Sequence, residues 1–404
     1  MENRWFYFAL SPISVLLLSY FFQALDFLLI LPSFYYLRFH FGEMMSIPGL
    51  SLHRYAYFSF ACYCTGLLLF ALYAGGITDG FGRRKALLLI QAIRTASFFF
   101  CAIGFYWVSL LIYFFGSFLC GISSSFSTVG LASVSDLYEN PLQRLRGYGL
   151  FTISDGAIMA IFFFLSATLQ FHTIEPSFPP VLLYLFSGII LFFLYLLIYY
   201  NFPETSSIDH TWKWGPWMKS IRGFWTLLKE PQMKWIVSLH FLNVFGMTSL
   251  TVKASSELIP LIGESKLLLL FGLFVACWAV ASGFLLPKMI LFLKSKWILI
   301  SCFASMGILN LFYLMFPSLF FSVAVMILSG FVLGFLFTLL PWMISEITTF
   351  EIRGHALSIA HFFFGLALAL GMLLNNTPYT LFIGLLIALF FRPKLEIKGR
   401  LKWQ

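Results

Sequence analysis

Twelve apolar segments of helical length run through this chain, and that pattern leaves few folds open to it. They cover approximately residues 9–37, 56–77, 86–107, 109–134, 147–169, 180–201, 234–253, 266–287, 297–316, 319–342, 355–375 and 378–391. A helix of about 20 apolar residues crosses the hydrocarbon core of a bilayer. Inside that core every backbone polar group needs a partner from the protein, which a helix supplies from its own segment. Only 10% of the 404 residues are charged and 60% are apolar, whereas soluble domains carry about 25% charged residues. The expectation is an all-α polytopic membrane protein with twelve transmembrane helices.

The cations test that count. Alternating sides from a cytoplasmic N-terminus places all but five of the 25 lysines and arginines on the cytoplasmic side. The five are Arg38, Arg54 and Lys266 on the other side, Lys253 at a helix end and Arg94 within a span. Short cytoplasmic loops are enriched in Lys and Arg, so both termini are predicted to be cytoplasmic, in an inner or plasma membrane. The net charge of +9 is scattered through these loops. No single basic patch offers itself to nucleic acid, which is excluded as a partner. The six cysteines all fall in apolar segments, where they read as small hydrophobes rather than a disulfide or metal site.

One long polar connection, Asn201 to Pro231, separates six spans from six. It divides the chain into an N-terminal half (1–200), a linker (201–233) and a C-terminal half with a short basic tail (234–404). Within the linker, Met218 to Lys229 mixes Trp225, Leu227 and Leu228 with Lys219, Arg222 and Lys229. That is the pattern of a helix lying on the inner membrane surface. The halves also share a motif. Glu139-x6-Arg146-Gly147 precedes the fifth span and Glu346-x6-Arg353-Gly354 precedes the eleventh, 207 residues apart at every matching position. The reading is a duplication in parallel orientation.

The most specific stretch is Gly75-Gly76-Ile77-Thr78-Asp79-Gly80-Phe81-Gly82-Arg83-Arg84-Lys85, expected as a tight polar turn between spans two and three. Its glycines at 75, 80 and 82 permit positive φ and close backbone approach. Asp79 is suited to the exposed amides of a neighbouring helix start. The spacing G-x-x-x-D-x-x-G-R-R-K resembles the loop joining helices two and three in the major facilitator superfamily of transporters. Pro203-Glu204-Thr205 is similar to the short acidic motif after span six in sugar porters, and Ala24-Leu25-Asp26-Phe27 resembles the first span of metabolite/proton symporters. The resemblance implies two parallel six-helix halves around a central cavity, working by alternating access. It also implies a cytoplasmic latch that holds the halves together while the outside is open. The residues carried over to that latch are Gly75, Asp79, Gly82, Arg83, Arg84, Glu139, Arg146 and Glu204, with Glu346 and Arg353 in the second half. The expected partners are a small-molecule substrate and the lipid bilayer, with the protein a monomer.

Charges within spans are costly and therefore candidate functional groups. Asp155 and Arg94 each lie about eight residues from a cytoplasmic end, roughly 12 Å deep at 1.5 Å per residue. A structural pair and two separate functional groups are both open readings. Asp26, with Gln23 one turn before it, is the chosen proton-binding carboxylate, because the first span lines the cavity in the resembled family. A helix–helix hydrogen bond is its alternative role. Spans seven and eleven add His240, Asn243 and His361, where a histidine either relays protons or serves as an interhelical donor. Ser123, Ser124, Ser125, Ser127 and Thr128 fit close packing and a cavity wall equally. Trp342, after Pro341, reads as an interfacial anchor or as an aromatic wall that closes the cavity.

The function predicted is secondary active transport of a small organic solute (a metabolite, sugar, organic acid or amino acid) with a proton moving in the same direction. The proton is the coupling ion, and no cofactor is expected. No G-x-x-x-x-G-K-[ST] offers nucleotide energy, and no H-x-x-x-H or nucleophile elbow offers enzymatic chemistry. The match to the symporters has gaps. Cys64-Thr65-Gly66 stands where they carry an Arg in span two, and Gly121-Ile122-Ser123 is not followed by their acids. The second-half copy of the Gly/Asp motif keeps Gly283 but has Pro287 near the Asp position. Two alternatives stay open: a drug/proton antiporter, disfavoured by the Gly147-Tyr148-Gly149 and Ser154-Asp155-Gly156-Ala157 text of span five, and a transport-inactive sensor of the same fold.

Overall fold

The computed structural model describes residues 10–22, 52–169, 180–205, 216–315 and 318–374, and every regular element among them is helical. Before the linker come α1 (Pro12–Phe21), α2 (Leu52–Phe81), α3 (Arg83–Tyr106), α4 (Leu110–Ser123), α5 (Phe126–Leu137), α6 (Pro141–Leu169) and α7 (Pro180–Asn201). The linker holds α8 (Pro216–Lys229). After it come α9 (Pro231–Ile262), α10 (Glu264–Val280), a π-helical turn (Ala281–Leu285), α11 (Leu286–Phe292), α12 (Ser295–Met315), α13 (Leu319–Ile347) and α14 (Arg353–Leu374). Nine stretches among the described residues are long and apolar enough to cross a membrane. Gln23, Asp26 and the segment 378–391 lie outside the described residues.

Local sequence explains where these helices start. Proline opens α1, α6, α7, α8 and α9, at the position where a missing N–H costs nothing and the fixed φ suits the helix. The Ser11 hydroxyl accepts from the Ser14 amide, and the Ser318 hydroxyl from the Phe321 amide, capping α1 and α13. Spans four and eight, expected to be continuous, are each interrupted. A turn at Ser124–Ser125 separates α4 from α5, and the π turn separates α10 from α11.

The expected tight turn over 75–85 is corrected by the structure. Residues 75–81 continue α2, and the reversal is condensed into Gly82, at φ +92°. The reason is Glu204. Its carboxylate accepts the amides of Arg83 at 2.7 Å and Arg84 at 3.2 Å, so α3 is capped at once. A Cβ on Gly82 would come within 2.5 Å of that carboxylate.

The linker helix also packs on the bundle. α8 buries Phe224 against Phe362 of α14, ring centroids 5.4 Å apart. It packs across α2, α9 and α14, while Trp225 stays exposed. The helices before and after the linker meet mainly along two crossings, α2 with α14 and α6 with α10 and the π turn. Large apolar side chains such as Phe186, Phe193, Phe292 and Phe320 face outward, as expected where the surrounding solvent is lipid.

Candidate functional site

Between the two sets of helices lies a cavity of about 300 Å³. Tyr20, Tyr63, Thr128 and Asp155 face it from before the linker, and His240, Trp278, Phe337 and His361 from after it. The break in span four aims the serines. His361 Nε2 lies 3.1 Å from Ser124 Oγ, and its Nδ1 lies 3.4 Å from Ser127 Oγ, so both ring nitrogens engage the opposite half. His361 stacks on Phe364 at 5.8 Å and 5°, and His240 stacks on the same ring at 6.3 Å and 26°. Ser123 packs instead, donating to the Cys120 carbonyl.

Of the other sequence candidates, Arg94 is fully buried beside the cavity and donates to the carbonyls of Ser19, at 3.4 Å, and Phe22. Both carbonyls lie at the C-terminal end of α1, where the helix dipole is negative. Asp155 and Arg94 both act electrostatically on Tyr20. Asn243 is completely buried outside the cavity lining, and neither of its amide atoms has a hydrogen-bond partner among the described residues.

The end of the bundle beside the linker is closed by contacts that cross between the halves. Nearest the cavity, the hydroxyls of Thr152 and Thr338 meet at 3.1 Å. Trp342, read from the sequence as an interfacial anchor or an aromatic wall that closes the cavity, lies buried at this end, off the cavity lining. It is 2% exposed, and its indole N–H donates to the Pro141 carbonyl at 3.1 Å. Beyond it, Asp79 accepts the amides of Gly354 at 3.0 Å and His355 at 2.9 Å, the first turn of α14, and also meets the His355 ring at 2.6 Å. Arg83, 1% exposed, joins Asp79 to Asp136, and the other oxygen of Asp136 takes Arg353 at 3.2 Å. Arg144 pairs with Glu346 at 2.9 Å.

Thus Gly75, Asp79, Gly82, Arg83, Glu346 and Arg353 gather at this end, but the expected latch is regrouped. Glu204 and Arg84 act within the first half, Glu204 as the cap of α3 and Arg84 on the Tyr199 carbonyl and ring. The side chains of Glu139 and Arg146 are exposed. Asp136, Arg144 and His355 were missed by the sequence reading. Their signal was position alone: each lies within three residues of a motif residue.

The sequence profile of the Major Facilitator Superfamily matches residues 16–372. The chain belongs to that superfamily. It is a membrane transporter by family, all-α, with nine candidate spans among the described residues, and not an enzyme. Solved superfamily structures share the fold at low identity. The human organic anion transporter MFSD10 superposes with TM-score 0.74 at 16% identity, covering 93% of this chain and 98% of its own. The proton:xylose symporter XylE gives 0.71 at 15%, covering 94% of each chain. A bacterial homologue of the iron transporter ferroportin, in an outward-facing state, gives 0.68 at 15%, covering 94% of this chain and 97% of its own. A search of curated protein sequences returned no match.

Proposed function

We propose that this superfamily member carries a small organic solute by alternating access, with a proton moving in the same direction. One observation supports the reading most: a central cavity sealed on the linker side by polar contacts that cross between the halves. Such contacts exist in one state only, so they bias the populations of states rather than the fold. The linker side is the cytoplasmic side in this reading, and the described arrangement is the one closed to the cytoplasm. The membrane potential supplies about 2.3 kcal/mol per charge per 100 mV. The proton acceptor of the sequence reading is Asp26, and Asp155 is the next candidate because it faces the cavity.

The test is a pH-dye assay in proteoliposomes, adding sugars, amino acids, organic acids and amines in turn. Symport removes protons from the outside as the solute enters, and Asp26→Asn removes that coupling while leaving exchange of preloaded solute. External acidification would establish antiport instead. Solute uptake indifferent to an imposed pH gradient would end the coupling proposal, and no flux of any solute would favour the sensor.

A further inference from the structure

Resting on the transport reading, three polar atoms in the cavity wall point to what is carried: we infer that the site takes a neutral, hydroxyl-bearing, single-ring solute, held by Thr128, His240 and Trp278. Thr128 Oγ1, His240 Nδ1 and Trp278 Nε1 are each buried with no hydrogen-bond partner among the described residues. The three residues are 2%, 5% and 9% exposed, and all of them line the cavity. Other polar groups of the same wall are bonded within the protein. Ser124 and Ser127 are engaged by His361, and Thr152 by Thr338. Asp155 is not among the unpartnered groups. A buried polar atom without a partner is costly, and a solute in the cavity is in place to supply one.

The chemistry of the three atoms selects the solute. An indole N–H only donates, a hydroxyl donates and accepts, and the nitrogen of a neutral imidazole does one or the other according to its tautomer. A solute hydroxyl fills either role at each of them. A carboxylate can only accept, and an ammonium can only donate.

Placement and wall supply the rest. Thr128 comes from α5, just past the break at Ser124–Ser125, whereas His240 comes from α9 and Trp278 from α10. One solute bonded to all three therefore joins the two halves. Helix packing fixes the indole, since a Cβ on Gly334 of α13 would come within 3.0 Å of Trp278 Cδ1. His240 is held between Phe337 at 6.1 Å and Phe364 at 6.3 Å. Trp278 lies 4.9 Å from Phe337, so aromatic faces stand beside the polar atoms and suit the C–H face of a ring. The volume, about 300 Å³, equals about ten waters at ~30 Å³ each, which suits a single-ring molecule.

The test titrates the purified full-length protein in nanodiscs with D-glucose, D-galactose, D-mannose, D-xylose, L-fucose and myo-inositol. Benzoate and phenyltrimethylammonium are the charged comparators. At least one of the neutral solutes should raise the unfolding temperature saturably, and neither comparator should. Thr128→Val, His240→Phe and Trp278→Phe each delete one polar atom and should each weaken that binding about fivefold, the worth of one net hydrogen bond. A variant that does not fold leaves the decision to the other two. Without solute, Thr128→Val should melt no lower than the native protein, because the hydroxyl it removes has no partner to lose. Stabilisation by either comparator, by none of the neutral solutes, or by one whose affinity no substitution alters overturns the inference. So does a lower melting temperature of solute-free Thr128→Val, which would give that hydroxyl a partner within the protein. Uptake of the radiolabelled compounds into proteoliposomes separates the two proposals. Binding of a neutral solute without its uptake defeats transport and keeps the class, whereas uptake of a comparator alone defeats the class and keeps transport.

Discussion

The two crossings that join the halves at the linker end are equivalent in the repeated sequence, yet different chemistry holds them. Where α2 meets α14, Gly75 lets the backbones close until a Cβ there would sit 2.5 Å from His355 Cα. Asp79 then caps α14. Where α6 meets the π turn, a Cβ on Gly149 would sit 2.8 Å from the Ser282 carbonyl and 3.1 Å from Gly283 Cα. A shift of 207 maps Asp79 onto Leu286, and Gly354 and His355 onto Gly147 and Tyr148. Leu286 is fully buried.

The cause of the difference is where each helix begins. α14 starts at Arg353, so the amides of Gly354 and His355 belong to its first turn and have no acceptor within the helix. α6 starts at Pro141, and the equivalent amides lie well inside it, already bonded. A carboxylate finds donors at one crossing and none at the other. Charge holds the first crossing and close backbone contact the second.

The severest way to break this comparison is Leu286→Asp. The new carboxylate would be buried with no helix start to cap, at a cost of about 3–5 kcal/mol for an uncompensated buried charge. Folded yield and melting temperature in detergent should fall sharply. A variant as stable as the native protein would show that donors are available at the second crossing after all.

Asp79→Asn comes next. It keeps the shape but loses the charge that serves two amides, His355 and Arg83. We expect about 2–3 kcal/mol, because hydrogen bonds to charged groups and a carboxylate at a helix N-terminus each contribute on the order of 1–2 kcal/mol. Converted at 1.4 kcal/mol per decade, that shifts the ratio of states roughly 27- to 140-fold toward an open linker end. Maleimide labelling of a cysteine placed at Ser345, buried in the closed state, reads the shift, with expression retained and transport slowed. Unchanged labelling would remove Asp79 from the latch.

The smallest effect belongs to Arg144–Glu346, whose side chains are 16% and 11% exposed. Partial solvation limits the pair to about 1 kcal/mol. A double-mutant cycle with Arg144→Gln and Glu346→Gln, read by the same labelling, should give a coupling well below the Asp79 effect. A larger coupling would mean that charge dominates both crossings.

Much of the fold was legible because its signals are local. Hydropathy marks a span from its own residues, cations mark loops, and the 207-residue repeat pairs the halves. The Gly/Asp/Arg spacing likewise marked a helix junction with a capping carboxylate. What it did not reveal was which helix start Asp79 serves. Nor could it reveal that Glu204 would cap α3 and so reduce the expected turn to Gly82.

By itself, then, the sequence determined the membrane-embedded helices, their duplication and the end of the bundle where charge collects, since each follows from composition within one segment. Only the tertiary structure decided the partners. Asp136 bridges Arg83 and Arg353, Arg144 takes Glu346, and Trp342 closes on the Pro141 carbonyl. His361 reaches two serines of the other half. These residues are separated by some 50 to 240 positions in the chain. Their pairing depends on how two packed halves face each other, and no periodicity within a segment carries that information.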